Sequence, residues 1–85
     1  MKNIPASDIK LVENIHFLLV YAKHKTWQSY LYLNKRNNRL YNINNDDHGS
    51  FKINDNKLHI NWDAWDEETY EKKQLNKIYY YQKND

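Results

Sequence analysis

Leu58, Ile60 and Trp62 alternate strictly with His59 and Asn61, and the run ends in a polar turn that leads to a second tryptophan, Trp65. A period of two built from aliphatic and aromatic residues is the mark of a half-buried strand. The same alternation recurs upstream. Trp27, Ser29, Leu31 and Leu33 share one face of a strand, with Gln28, Tyr30 and Tyr32 on the other. Between these runs lie turn-length gaps, Asn34–Asn38 and Asn54–Asn56, rich in the Asn and Asp that tolerate left-handed backbone. Further strands are expected over Arg39–Ile43, Ser50–Ile53, Glu67–Lys72 and Ile78–Tyr81. The loop Asn44–Gly49 is expected to place Gly49 at positive φ.

Short strands joined in sequence predict an all-β fold. The expectation is an antiparallel meander of about six strands curled into a small barrel or half-barrel. Its core would hold Trp27, Leu31, Leu33, Phe51, Ile53, Leu58, Ile60 and Trp62. The amino-terminal quarter reads two ways. Leu11, Ile15, Leu18 and Ala22 recur at helical spacing after a capping Ser7, whereas Phe17, Leu19 and Tyr21 alternate as a strand with those three inward. The preferred compromise is a short helical turn over Ser7–Val12 followed by a strand Ile15–Lys23, which would cover the first edge of the sheet. Residues 1–85 thus form one small β domain, with 1–14 uncertain or a helical turn and 82–85 a frayed tail.

At 85 residues the chain buries only about 60% of its unfolded surface, which leaves little room for an enclosed cleft. It contains no Cys, so disulfides, thiolate metal sites and cysteine nucleophiles are excluded. That absence, with no convincing signal peptide and an apolar run Ile15–Ala22 too short to span a bilayer, points to the cytoplasm and away from membranes. The charges, 13 basic and 11 acidic, are mixed along the chain rather than gathered into a basic stripe. Nucleic-acid binding is disfavoured accordingly.

Chemistry has little material. Gly49 is the only glycine, so no phosphate-cradling loop exists. Ser7, Ser29 and Ser50 lie on no nucleophile elbow. Asp46, Asp47 and His48 are adjacent loop residues, and with His16, His24 and His59 they do not suggest the four converging ligands of a zinc site. No metal or cofactor is expected. Carboxylate-pair hydrolysis by Asp63, Asp66 and Glu68 is the one enzymatic class left open, and neighbouring turn residues rarely sit on opposite walls of a cleft. The chain reads as a non-enzyme.

Two surfaces remain. Trp65 either packs over the barrel end or stands partly open. If open, Trp65 between Asp63 and Asp66 would act as a platform for a sugar ring or another small polar ligand. Glu68, in phase with Tyr70, would point inward at the same end. It would serve there as an acid or ligand acceptor at a pocket mouth, or as a structural partner for a Tyr hydroxyl, for backbone amides or for an imidazole such as His24. The other surface is an aromatic-basic patch of Tyr30, Tyr32, Arg39 and Tyr41, suited to a protein partner or to stacked bases.

From His24 onward the run His24, Trp27, Tyr30-Leu31, Leu33, Gly49-Ser50-Phe51, Leu58, Ile60-Asn61-Trp62-Asp63, Trp65, Glu68 and Tyr70 carries a likeness. It resembles a small Trp-rich β module that accompanies bacterial glycosyltransferases and other surface-polysaccharide proteins. The resemblance covers about half the chain, and its most specific element is the closure Trp62-Asp63-x-Trp65-x-x-Glu68-x-Tyr70. It implies a non-catalytic, glycan-associated module and carries no catalytic residue across.

The candidate edge strands Phe17–Tyr21 and Ile78–Tyr81 lack proline, glycine and inward charge. They are expected either to pair with each other and close the sheet, or to pair across a two-fold axis and give a homodimer.

Overall fold

The computed structural model describes residues 12–75 and 78–84. They form one eight-stranded sheet: β1 (Val12–Glu13), β2 (Phe17–Lys23), β3 (Gln28–Asn34), β4 (Arg39–Asn42), β5 (His48–Asn54), β6 (Lys57–Trp62), β7 (Glu68–Leu75) and β8 (Ile78–Lys83). Neighbours in sequence are neighbours in space, and every consecutive pair is antiparallel. The sheet then closes, with Ala22 and Lys23 of β2 beside Tyr81 and Gln82 of β8.

That closing pair is parallel. The reason is parity. From β2 to β8 there are seven strands in a meander, so the first and last run in the same direction. The outer edge of β2 is shared, with Leu18 and Leu19 against β1 and Ala22 and Lys23 against β8. The two candidate edges meet each other within one chain.

The interior is filled by Leu18, Val20, Ala22, Leu31, Leu33, Leu40, Leu58, Ile60, Trp62, Tyr70 and Tyr81, with Trp27 and Phe51 packed against it. Three expectations change here. In β2 the inward set is Leu18, Val20 and Ala22 rather than Phe17, Leu19 and Tyr21. The register sets this phase, because Leu18 and Val20 lie opposite inward Leu33 and Leu31. Ile53 is 39% exposed rather than core. Pairing of β4 with β5 stops at Arg39 and Ser50, so Ile53 runs past the barrel wall and is paired only with Leu58 of β6.

Gly49 is the third. It lies within β5, and no glycine has positive φ. The left-handed positions are Asn38, Asp46 and Asp55, with φ of 59°, 60° and 54°; Asn and Asp tolerate that region through their short polar side chains. Gly49 is needed for space instead. A Cβ there would sit 2.7 Å from the Asn61 carbonyl oxygen and 3.0 Å from Trp62 Cα.

Strand β8 also runs past the expected end at Tyr81. Gln82 and Lys83 pair with Glu71 and Tyr70, and the Asn84 N–H donates to the Thr69 carbonyl. Of the helical turn over Ser7–Val12, residues 7–11 lie outside the described residues, and Val12 belongs to β1.

Candidate functional site

A meander places alternate connections at one end of the barrel. Here the segments 24–27, 43–47 and 63–67 share an end, because β2, β4 and β6 all run toward it. Each contributes to one open cleft of about 390 Å³, lined by His24, Thr26, Trp27, Asn42, Asn45, Asp47, Trp62, Trp65 and Glu68. All three tryptophans of the chain meet there.

The floor is built around Glu68. Ile60 lies opposite Glu68 and Leu58 opposite Tyr70, so the inward phase of β6 carries Glu68 and Tyr70 inward as well. One carboxylate oxygen, Oε1, accepts the Trp62 indole N–H at 2.7 Å and the Tyr70 hydroxyl at 3.0 Å. The other, Oε2, lies 2.9 Å from His24 Nε2. His24 Nδ1 accepts the Thr26 backbone N–H at 3.2 Å and lies 3.2 Å from the Thr26 hydroxyl. The His24 ring stacks on Trp27 with centroids 5.0 Å apart and planes 6° from parallel.

Burial raises the Tyr70 hydroxyl far above the usual phenol range, and the adjacent negative charge of Glu68 and its hydrogen bond add to that. Tyr70 is therefore a fixed donor. Among the described residues every buried side-chain N or O atom has a hydrogen-bond partner, which holds this floor in place.

The rim is different in character. Trp65, 65% exposed, projects from the 63–67 segment. Across from it stands the 43–47 loop, tied down where the Asn42 carbonyl accepts the Asp46 N–H at 3.1 Å and the Asp47 carbonyl accepts the Asn42 N–H at 2.8 Å. Asn42 Oδ1 takes the Ser29 hydroxyl at 2.6 Å and the Asn44 N–H at 3.0 Å. The Asp47 carboxylate forms no hydrogen bond or ion pair among the described residues.

The expected ligand set separates. Trp65, Glu68 and His24 come together in the cleft. Asp63 turns away and forms an ion pair with Arg39, which also donates to Ser50 Oγ at 3.0 Å. That pairing lowers the Asp63 carboxyl and raises the Arg39 guanidinium, chiefly through the hydrogen bond they share. Asp66 is exposed and does not line the cleft. Asn42, Asn45 and Asp47 do, and nothing in their local sequence joins them to Trp65. The usable signal was topological: the 43–47 and 63–67 connections are two strands apart in a meander and so share an end. The loop trio also divides, since Asp47 enters the cleft while His48 faces outward toward Tyr41. Among the described residues no group of three or more His, Asp or Glu could hold a metal ion.

On the outer wall, Phe17, Tyr32, Tyr41 and His48 form a ladder across β2 to β5, with centroid spacings of 5.1, 5.2 and 5.6 Å. Tyr30 is set apart from this ladder, edge-on to buried Tyr21 at 5.2 Å. Arg39 is the cation of this wall that the sequence singled out, and Asp63 engages it.

No family model matches the chain, and neither a curated protein nor a solved structure does. The fold defines a small closed β-barrel, an architecture consistent in general terms with a non-catalytic binding module.

Proposed function

We propose that the protein is a non-catalytic binding module whose ligand site is the Trp27–Trp62–Trp65 cleft, and that it takes a small polar ligand, a glycan among the candidates. The single observation that carries this is the convergence of all three tryptophans on one polar-rimmed cleft, with Trp65 left open at the mouth. Aromatic surface with a few convergent polar groups is the ordinary recipe of a small-ligand pocket. The resemblance of the Trp62–Tyr70 closure to modules beside glycosyltransferases favours a glycan within that class. A binding role is favoured over catalysis because both Glu68 oxygens are held by fixed donors and Asp63 is held by Arg39.

Binding would be weak, resting on one open ring and a few polar contacts. Tryptophan fluorescence and amide chemical shifts, followed during titration with a panel of mono- and oligosaccharides, test it. Ligands should perturb Trp65 and the 43–47 loop together, and Trp65→Ala should abolish the response. A panel that leaves those signals unmoved removes the glycan reading.

The outer ladder supports a second reading, a protein-docking surface around Tyr32 and Tyr41. Stacked tyrosines present rigid contact area at little entropic cost, and Tyr41 is exposed.

A further inference from the structure

The charge balance of the cleft narrows the ligand class. Two carboxylates line it, Asp47 and Glu68, and among the described residues no Lys or Arg does. Glu68 is only 15% exposed at its side chain, and its hydrogen-bond partners are an indole N–H, a phenol and an imidazole. No Lys or Arg among the described residues pairs with it. Asp47, on the facing loop, adds a second charge with no hydrogen-bond or ion-pair partner among the described residues. The open ring of Trp65 lines the same cleft, and indole has the most electron-rich face among the side chains.

We infer that the ligand presents a positively charged organic ammonium group to this cleft, seated against Trp65 and between Asp47 and Glu68. The inference rests on the binding-module reading and deepens it. A bare inorganic cation does not fit as well, because the site offers indole surface alongside two separated carboxylates rather than a shell of oxygen ligands. A neutral sugar would use the ring and leave both charges uncompensated. An alkylammonium group uses ring and charges together, since its hydrocarbon exterior meets the indole while its charge meets the carboxylates. The ammonium could belong to an amino sugar or to a quaternary amine; both carry the same recognition chemistry.

The test is a chemical-shift titration of the full chain with matched probes at constant ionic strength set with sodium chloride. Choline is compared with dimethylbutanol, in which carbon replaces the quaternary nitrogen, and glucosamine with N-acetylglucosamine. The expected result is that choline or glucosamine shifts the Trp65 indole and 43–47 amide signals at about tenfold lower concentration than its neutral counterpart. Asp47→Asn should weaken the charged probe by about three- to tenfold and leave the neutral one unchanged. Which charged probe binds more tightly distinguishes an amino sugar from a quaternary amine. Equal binding of charged and neutral partners, or preference for the neutral one, overturns the ammonium assignment while the cleft remains a binding site. Absence of any shift from all four probes overturns the assignment and counts against the cleft itself.

Discussion

Trp62 and Glu68 are six residues apart in sequence and joined across the β6–β7 pair by a 2.7 Å hydrogen bond from indole to carboxylate. Because Ile60 is the direct partner of Glu68, Trp62 lies on the diagonal, within reach of a long side chain on the same face. The contact does two things. It satisfies the one polar atom of a large core residue, and it fixes a carboxylate at the floor of the cleft.

Removing that carboxylate should destabilise the barrel. Glu68→Ala leaves the Trp62 indole and the buried Tyr70 hydroxyl without their acceptor, at about 3 kcal/mol in total. Glu68→Gln should cost less, since its amide oxygen can still serve both donors. Urea denaturation of the two variants checks the order.

Trp62→Ala should cost about 3–5 kcal/mol by opening a cavity in the interior, a large share of the stability of a domain this small. Trp65→Ala, at a position 65% exposed, should change stability by no more than about 0.5 kcal/mol. Parallel thermal melts would show the contrast.

Gly49→Ala tests a glycine chosen for space. With its Cβ 2.7 Å from a backbone oxygen, β5 must move off β6, at about 1–3 kcal/mol. A substitution without measurable cost would show that the strands part easily there.

Alkaline titration should separate Tyr70 from the exposed phenols. Its folded-state value is raised above that of the unfolded chain, so it contributes stability in full below about pH 10, and that contribution is lost as pH rises beyond it. Phenolate absorbance should therefore lag the free-tyrosine curve until the barrel unfolds. At the acid end the sign reverses. The lowered Asp63 carboxyl stays ionised below its ordinary 3.8, and the benefit of its ion pair is lost as pH falls through the folded value. A carboxyl shift titration with Arg39→Gln as control should return Asp63 toward 3.8.

Closure of β2 on β8, with Ala22 and Lys23 beside Tyr81 and Gln82, joins within one chain two strands that could otherwise have paired between copies. Light scattering after size exclusion should then give a mass near 10.5 kDa, independent of concentration.

The alternation of Leu31 with Leu33, and of Leu58, Ile60 and Trp62, determined by itself that these segments are strands and which faces go inward. A period of two has one reading wherever one side is buried. The same logic carried Glu68 inward with Tyr70, and its hydrogen bonds to Tyr70 and His24 follow from the need to satisfy a buried carboxylate. In β2 the residues of both phases are apolar, from Phe17 through Ala22, so alternation carried no information and only pairing with β3 chose Leu18, Val20 and Ala22. A lone glycine at the end of an Asn- and Asp-rich run suggests a turn at Gly49. The approach of Asn61, on the neighbouring strand, decided otherwise. The cleft itself depended on tertiary structure, because Trp27, Asp47 and Trp65 belong to three separate connections, and only closure of the meander curls those connections around one end of a barrel.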